Sequence, residues 1–411
     1  MTDVDAVLGD LRIVDCDAHF TEPPDLWTSR VAPTMRERVP VHRTVDGVSA
    51  WYLDGEVWAG IGGNTIRKGR EKVLGEHIVQ PFDAVDPAAW DVAARLGLMD
   101  DMGVHAQILY PNGVGFSSNH IFAIEDVEQR GVILRTYNDF LVDVQKDSGD
   151  RLFPQAMLPI WDMDLTVAEM ERLLDQGITG FTLSDRPELM GLPQLPEPYF
   201  EPMWGLADEA GIPLNFHIGA GAAKERGKAA RGADQLRRPA ESAKAFADLY
   251  WESFGPQRRL AILASQMYMS NARIIVNLCM SGMFDRWPNL RIVSAESGIG
   301  WIPFILESLE YQLDEMVTDP AERAVQQRRP TEYFRDHVYV TFWFERVGPS
   351  KLLEDVGVDN VMIETDVPHP TCLYPGAREH FAAVLEGLAP EVRRKVLQDN
   401  AARVYNLPLP A

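Results

Sequence analysis

The chain has 411 residues, of which 61 are acidic and 39 are basic, so its formal net charge at pH 7 is −22. Hydrophobic residues make up 46% of it and charged residues 24%, a composition that suits a globular protein and excludes intrinsic disorder, collagen and coiled coil. A chain this acidic repels phosphate backbones and anionic lipid, so we expect a small-molecule substrate and neither nucleic acid nor a membrane as partner.

The cysteines and the apolar segments bear on the cellular compartment. Three cysteines lie far apart and form no CxxC pair, which argues against a disulfide framework or a thiolate zinc site. The first twenty residues are acidic and have no basic start followed by an apolar run, so no secretory signal is expected. The longest apolar stretch, residues 260–283, is interrupted by polar side chains and predicts a buried helix rather than a bilayer span. We therefore expect a cytoplasmic protein.

Eight short apolar runs alternate with longer helical patterns along the chain. The runs cover residues 12–19, 104–111, 151–159, 180–185, 212–218, 290–297, 337–343 and 360–368. The helical patterns include residues 125–148, 164–176, 199–210, 301–316 and 348–356. This alternation is typical of an α/β protein with a parallel sheet, and eight strands are what a (β/α)8 TIM barrel requires. A doubly wound open sheet has the same alternation, but no GxGxxG or GxxxxGKS/T follows any run, so no nucleotide site is indicated.

Two segments interrupt the repeat within what we expect to be a single barrel over residues 1–411. Residues 40–80 alternate around Asp54-Gly55 and predict an inserted β-hairpin. Residues 219–259 are rich in Gly, Ala, Lys and Arg. Each segment follows a run that ends in histidine, so one interpretation is lid material inserted over the C-terminal face of the barrel. The other interpretation is a pair of surface excursions, and the sequence leaves both open.

Polar residues at strand ends are the candidates for chemistry, because a barrel of this kind places its site at the C-terminal ends of its strands. Strand alternation predicts that Asp15, Asp17 and His19 face the same space at the end of the first strand. His217 lies at the end of the fifth strand, and Asp366 lies near the end of the eighth run. A strand-end histidine taken singly is more often a hydrogen-bonded structural residue. Together, however, Asp17, His19, His217 and Asp366 offer the converging oxygen and nitrogen ligands that a catalytic divalent ion needs.

Five motifs resemble the amidohydrolase-related family, the branch of the amidohydrolase superfamily that includes aminocarboxymuconate-semialdehyde decarboxylase. They are DCDAHFTEPPDLW, LNFHIGAG, WPNLRIVSAESGIGWIPFILESL, VMIETDVPHP and QDNAARVYNL, and the likeness runs in order from residue 14 to residue 407. The resemblance implies a distorted (β/α)8 barrel with one divalent metal. It maps the family's ligands onto Asp17, His19, His217 and Asp366. Carboxylate and imidazole ligands suit zinc, manganese or iron(II) equally.

The chain departs from the family pattern at two positions. Several members have two histidines at the first-strand pair, whereas this chain has Asp17 first. An acidic residue there is also found in family decarboxylases that act on aromatic or pyrimidine carboxylates. The sixth strand often ends in a histidine that handles protons or water, and here that position is Glu296. A buried carboxylate serves as general acid or base when its pKa is raised. Binding the metal or pairing with an arginine are the other roles open to Glu296.

Three further residues are candidates for contact with the substrate. Arg186 leaves the fourth strand and has the geometry to clamp a substrate carboxylate, with a surface salt bridge as the alternative. His369 follows Asp366 by three residues and would orient it or touch the substrate, unless it is simply a loop histidine. Asn112 leaves the second strand and would line the pocket.

The sequence leaves three functions open. The first is nonoxidative decarboxylation of a small cyclic or unsaturated carboxylic acid, with Asp366 or Glu296 delivering a proton to carbon. The second is metal-dependent hydrolysis of an amide, an ester or lactone, or an activated C–C bond, with Asp366 deprotonating a metal-bound water. The third is a non-catalytic metal-binding scaffold. The resemblance and Asp17 favour the first, and family members often form dimers, so we expect a homodimer.

Overall fold

The computed structural model describes residues 2–221, 250–251 and 253–409. Within these residues fourteen strands form four sheets. The strands are β1 (Ile13–Phe20), β2 (Val41–Val45), β3 (Val48–Leu53), β4 (Glu56–Gly60), β5 (Ile66–Arg67), β6 (Glu71–Lys72), β7 (Val104–Pro111), β8 (Leu152–Pro154), β9 (Ala156–Met157), β10 (Phe181–Leu183), β11 (Pro213–His217), β12 (Arg291–Ala295), β13 (Val338–Phe342) and β14 (Val361–Ile363).

Two parallel sheets together form a ring of eight strand positions. One sheet has the order β1-β7-β8 and the other the order β9-β10-β11-β12-β13-β14. β8 and β9 are separated in the chain only by Gln155, so the sheets meet there. At the other edge the His19 amide donates to the Val367 carbonyl (2.7 Å), and the Asp366 amide donates to the Asp17 carbonyl (2.9 Å). The predicted (β/α)8 barrel is confirmed, and each predicted run supplies one position in the ring.

Helices connect the barrel strands. The α-helices are Val4–Leu8, Leu26–Arg30, Val92–Met102, Asn119–Phe122, Val127–Asp147, Met163–Leu174, Glu201–Ala210, Pro256–Met267, Ala272–Cys279, Met283–Arg286, Ile302–Met316, Pro320–Arg323, Pro330–His337, Val347–Lys351, Leu353–Val356, Ala377–Leu385, Pro390–Arg394 and Asn400–Val404. Aspartate side chains cap several of them; Asp126, for example, accepts from the Gln129 amide at the start of the longest helix. The predicted helix over 348–356 is broken at Leu352, whose ψ of 5° is not helical.

The apolar core lies both inside and outside the ring. Inside, buried side chains of six barrel strands, among them Val14 and Met362, pack against Val404 and Tyr405 near the end of the chain. Outside, a larger buried cluster fills the space between the strands and the helices. The strands are therefore buried on both faces, as expected for a parallel barrel.

The apolar stretch at residues 260–283 is not the single buried helix that its sequence predicts. The helix Pro256–Met267 has no buried residue, whereas the helix Ala272–Cys279 buries four side chains. Residues 268–271 form a turn between them, and the Asn271 side-chain amide donates to the Phe216 carbonyl (2.7 Å), which joins this turn to β11. None of the helices described has the length and apolar character needed to cross a bilayer.

The inserted residues 40–80 contain the antiparallel sheet β2-β3-β4. Asp54 and Gly55 join β3 to β4 with φ of 52° and 86°, the two positive values that a tight hairpin turn requires. Most of the other segment, residues 219–259, lies outside the described residues, so its proposed role as a lid stays a prediction.

Candidate metal centre

A β-bulge in β1 determines which way the side chains of the first two candidate ligands, Asp17 and His19, point. Asp15 pairs with Gln107 on β7, but Ala18 pairs with Leu109, so β1 carries one extra residue between these points. Val14 and Cys16 pack in the apolar interior of the barrel. The extra residue reverses the alternation and turns the side chains that follow it toward the mouth.

Asp15 consequently takes no part in the site. Its carboxylate accepts hydrogen bonds from Gln107 Nε2 (2.8 Å) and from the Thr365 amide (2.7 Å). Asp17 and His19 instead share a cluster of possible ligand atoms. The expectation that Asp15 faces the same space as these two residues is therefore wrong, because strict alternation fails at the bulge.

Both candidate imidazoles are held at one ring nitrogen by a backbone carbonyl. His19 Nδ1 lies 3.0 Å from the Pro111 oxygen, and His217 Nδ1 lies 2.8 Å from the Ile218 oxygen. Because a carbonyl only accepts, each Nδ1 carries the hydrogen and each Nε2 keeps its lone pair. Burial lowers the pKa of His217 to about 4 and the pKa of His19 well below its ordinary value. Both rings are thus neutral at pH 7, the form in which histidine binds metals.

Three carboxylates surround the two Nε2 atoms. Asp17 approaches both: its Oδ2 lies 3.2 Å from His217 Nε2 and its Oδ1 3.5 Å from His19 Nε2. Glu296 Oε2 lies 3.3 Å from His217 Nε2, and Asp366 Oδ1 lies 3.5 Å from His19 Nε2. All five residues are buried. Possible ligand atoms of Asp17, His19, His217 and Glu296 form one group within 4.8 Å, and those of His19, Glu296, Asp366 and His369 form a second. Of the four residues predicted to bind the metal, Asp366 therefore shares a group with His19 but not with Asp17 or His217, and Glu296 belongs to both groups.

Glu296 and Asp366 both have a left-handed backbone, with φ of 53° and 60°. Such a conformation costs a non-glycine residue on the order of 1–3 kcal/mol and often marks a functional site. Hydrogen bonds compensate for it. The Glu296 amide donates to Glu364 Oε2 (3.1 Å) and Thr341 Oγ1 (3.2 Å), and the Asp366 amide donates to the carbonyl of Asp17. The turn at each strand end directs the carboxyl group into the cluster.

The carboxylates do not ionise alike. Burial raises the pKa of Asp17 and of Glu296 well above the ordinary range, and the charge of Asp366 raises both further. Burial also opposes ionisation of Asp366, but the adjacent His369 acts in the opposite direction, and the pKa of Asp366 lies below its usual value. Within the cluster, ionisation is therefore favoured at Asp366 and opposed at Asp17 and Glu296 in the absence of a cation.

The donor set fits a divalent cation. Among the described residues, both carboxylate oxygens of Asp17 and the Nε2 atoms of His19 and His217 are buried without a hydrogen-bond partner. One possible ligand atom from each of Asp17, His19, His217 and Glu296 lies within 4.8 Å of the others. Each unsatisfied buried polar atom destabilises the fold by about 1–3 kcal/mol, so a cation bound to these atoms would stabilise the folded chain. Mixed oxygen and imidazole ligands suit manganese, iron and zinc.

Two of the three predicted substrate contacts lie at this cluster. His369 Nδ1 is 2.8 Å from Asp366 Oδ1, and its ring stacks on His19 with centroids 3.6 Å apart. Asn112 Oδ1 lies 3.2 Å from His369 Nε2. The side chain of Arg186 is 45% exposed and pairs with Glu188 (3.4 Å). Within the described part of the chain it forms no ion pair with the cluster.

Sequence reasoning missed the aromatic residue that covers the histidines. The ring centroid of Phe116 lies 4.0 Å from that of His217 and 5.1 Å from that of His19. Phe116 stands in the loop after β7, in the motif YPNGVGF. Its position directly after a barrel strand was the available signal, since loops at that end form the mouth of a barrel.

Known proteins similar to this chain share its architecture. A family model described as Amidohydrolase matches residues 14–407. A gamma-resorcylate decarboxylase from Rhizobium sp. (strain MTP-10005) is 25% identical over 324 residues, which cover 76% of this chain and 86% of the relative.

Solved structures agree with this likeness at the level of the fold. An amidohydrolase from Mycobacterium avium subsp. paratuberculosis K-10 superposes with a TM-score of 0.67 at 19% identity, covering 98% of this chain and 99% of that one. A dihydroxybenzoic acid decarboxylase from Polaromonas sp. JS666, solved with manganese and the inhibitor 2-nitroresorcinol, gives 0.59 at 18% identity, with 97% and 98% covered.

Proposed function

This chain belongs to the amidohydrolase family, and we propose that it is a metal-dependent carboxy-lyase that removes carbon dioxide from a small cyclic or unsaturated carboxylic acid. The proposed ligands of the metal are Asp17, His19, His217 and Asp366. The proposed substrate class is the hydroxylated aromatic acids, because the curated relative acts on gamma-resorcylate.

The observation that carries the proposal is the convergence of unpaired Nε2 and carboxylate oxygen atoms at the mouth of the barrel. A divalent cation there would act as a Lewis acid, binding substrate oxygens and stabilising the negative charge that develops as carbon dioxide leaves. We propose manganese as the first metal to test, since the Polaromonas decarboxylase was solved with it. The ligand atoms are equally compatible with zinc and iron(II).

Loss of carbon dioxide leaves a carbon that must receive one proton. We assign this proton to Glu296, with Asp366 as the second candidate. Glu296 is buried, directly follows β12 and lies 3.3 Å from His217 Nε2, in the same group of possible ligand atoms as Asp17, His19 and His217. We leave it outside the proposed ligand set and give it the proton. His369 Nδ1 lies 2.8 Å from Asp366 Oδ1 and, against the effect of burial, favours the ionised form of Asp366, which suits this carboxylate to ligation.

His369 and Asn112 are proposed to contact the substrate, because both border the cluster. Phe116 joins them as an apolar cover that packs against the histidines and restricts the access of water. Clamping of a substrate carboxylate by Arg186 stays a prediction, and the ion pair with Glu188 is its observed arrangement.

The decisive experiment incubates the manganese-loaded protein with 2,6-dihydroxybenzoate, 5-carboxyvanillate, pyrimidine carboxylates, lactones and amides. Decarboxylation in D2O releases carbon dioxide and places one deuterium on the carbon that carried the carboxylate. Hydrolysis in H2(18)O instead places solvent oxygen in the organic product, and this result would replace our proposal with the hydrolase alternative.

The metal requirement has a matched pair of variants. His217→Ala removes a proposed ligand, whereas His105→Ala removes a partly exposed histidine outside the cluster. We expect His217→Ala to lose both bound metal and turnover and His105→Ala to retain them, as measured by elemental analysis and carbon dioxide release. A wild-type protein that binds the metal but turns over no member of the panel would favour the scaffold alternative.

We further propose that the protein is a homodimer in the cytoplasm. The three cysteines are unpaired, which is usual in a reducing compartment, and family resemblance implies the dimer. Light scattering after size-exclusion chromatography gives the mass directly, and a mass near that of one chain would contradict the dimer.

A further inference from the structure

Residues 61–65 of the inserted segment pack directly against the residues of the metal cluster. A β-carbon built on Gly63 would lie 2.6 Å from His369 Cδ2, and one built on Gly62 would lie 2.0 Å from Asn112 Oδ1. Contacts this short are essentially absent between real side chains, so only glycine lets the backbone approach so closely. The segment thus touches two proposed substrate contacts at once.

Thr65 ties the same segment to the loop that carries His369. Its hydroxyl lies within hydrogen-bond distance of two backbone carbonyl oxygens, that of Pro368 (3.1 Å) and that of His369 (2.9 Å), and donates to them. Its amide donates to the Pro368 carbonyl as well (2.9 Å). Thr65 is fully buried, so water does not compete for these bonds.

Asn112 completes the contacts around the imidazole. Its side-chain amide nitrogen, Nδ2, donates to Thr21 Oγ1 (2.8 Å) and to the Gly63 carbonyl (3.1 Å). This orientation leaves Asn112 Oδ1 facing His369 Nε2. Two polar contacts therefore fix the His369 ring, Asn112 at Nε2 and Asp366 at Nδ1. In addition, His19 stacks on one face of the ring, and the backbone of Gly63 packs against Cδ2.

We propose that residues 61–65 are part of the active site, with Gly63 and Thr65 as positioning residues that hold His369 against Asp366 and His19. This inference rests on the proposed function for its meaning in catalysis. It assigns the inserted segment a role at the reaction centre instead of that of a surface excursion. Gly63 lets the backbone of residues 61–65 approach the His369 ring closely. Thr65 holds the loop that carries His369 in position.

The experiment uses two substitutions with matched controls. Gly63→Ala adds the clashing β-carbon, whereas Gly387→Ala adds one where no atom lies within 4 Å. Thr65→Val removes the hydroxyl and keeps the shape, Thr65→Ser restores a hydroxyl, and Thr44→Val makes the same change in β2, where the hydroxyl pairs with Ser49. All are made in the full chain.

The first readout is independent of turnover. The ring ¹H–¹⁵N signals of His369 are recorded in metal-free protein and assigned by their loss in His369→Gln. We expect them to move in Gly63→Ala and Thr65→Val and to stay in place in Thr65→Ser and in both controls. Unchanged His369 signals in Gly63→Ala and Thr65→Val would overturn the inference.

The second readout is turnover of the manganese-loaded enzyme. We expect kcat/KM to fall at least tenfold in Gly63→Ala and about fivefold in Thr65→Val, and to return within twofold of wild type in Thr65→Ser. A loss that Thr65→Ser fails to restore would contradict the assigned role of the hydroxyl. If the wild-type protein itself decarboxylates nothing, the proposed function fails, while the ring signals still decide whether this segment positions His369.

Discussion

The cluster holds its two histidines and its carboxyl groups by different means. Each histidine is fixed by one hydrogen bond from its own Nδ1 to a carbonyl. Glu296 is fixed through its backbone, whose amide donates to Glu364 and Thr341 while its carboxyl group stays free to approach His217. A carboxyl group supported in this way can lose or gain a proton without moving its neighbours, which suits the role of proton donor.

Substitution of Glu296 by glutamine therefore separates the proton donor from the metal ligands. Glu296→Gln keeps the size of the side chain and removes the acid, so we expect kcat to fall by about 10²- to 10⁴-fold, the usual contribution of a general acid. The manganese content should stay that of the wild type, because the four proposed ligands are untouched. Elemental analysis beside initial rates measures both quantities.

The exposed Glu307→Gln is the control for this experiment and should alter neither quantity. A Glu296→Gln protein that loses its manganese would identify Glu296 as a ligand and contradict its assignment as the proton donor.

At the scale of the elements, β1 and the chain after β14 carry three of the four proposed ligands. Asp15 joins these two elements inside the barrel wall, where it accepts from the Thr365 amide and hydroxyl and from Gln107. Burial raises the pKa of Asp15 to about 6, despite these hydrogen bonds. The same bulge that turns Asp17 into the cluster thus leaves Asp15 to connect the first and last strands.

Replacing Asp15 by asparagine tests this connection. Both carboxylate oxygens of Asp15 accept hydrogen bonds, whereas asparagine has an NH2 group in place of one of them. This NH2 group would face an N–H or O–H donor of Thr365 or Gln107, so at least one buried donor loses its acceptor. We expect Asp15→Asn to lower the free energy of unfolding by about 1–3 kcal/mol. Urea titration followed by tryptophan fluorescence measures the difference, with the exposed Asp10→Asn as control, expected within about 0.5 kcal/mol of wild type. An equal stability of the two variants would show that Asp15 is not a structural link.

At the scale of the whole molecule, periodicity predicted a parallel α/β fold with eight strands, and the missing nucleotide motifs and the family resemblance favoured the barrel over a doubly wound sheet. Each of the eight apolar runs became a barrel strand because a parallel strand buried on both faces must be apolar along its length. The strand ends then located Asp17, His19, His217 and Asp366, since a barrel gathers the ends of its strands at one face. The family motifs implied a distorted barrel and supported the single divalent metal that the strand-end residues had suggested.

What the sequence did not predict depends on contacts between distant segments. The bulge that separates Asp15 from Asp17 is visible only in the pairing of β1 with β7. The turn before Ala272 is joined to β11 by the hydrogen bond from the Asn271 side chain to the Phe216 carbonyl. Likewise, the approach of Gly63 to His369 joins residues about 300 positions apart, and no local pattern encodes it.

The composition of the cluster also predicts how the stability of the whole molecule responds to metal. Buried carboxylates close to one another raise the free energy of the metal-free fold, and a cation that binds only the folded chain stabilises it by RT ln(1 + [L]/Kd), about 2.7 kcal/mol at a hundredfold excess over Kd. We therefore expect the thermal unfolding midpoint to rise with added manganese and to fall after EDTA treatment. Because His217→Ala removes a ligand, its midpoint should no longer respond to manganese, whereas that of His105→Ala should respond as the wild type does. Differential scanning calorimetry over a manganese titration measures these shifts, and an equal response of the two variants would place the cation elsewhere on the molecule.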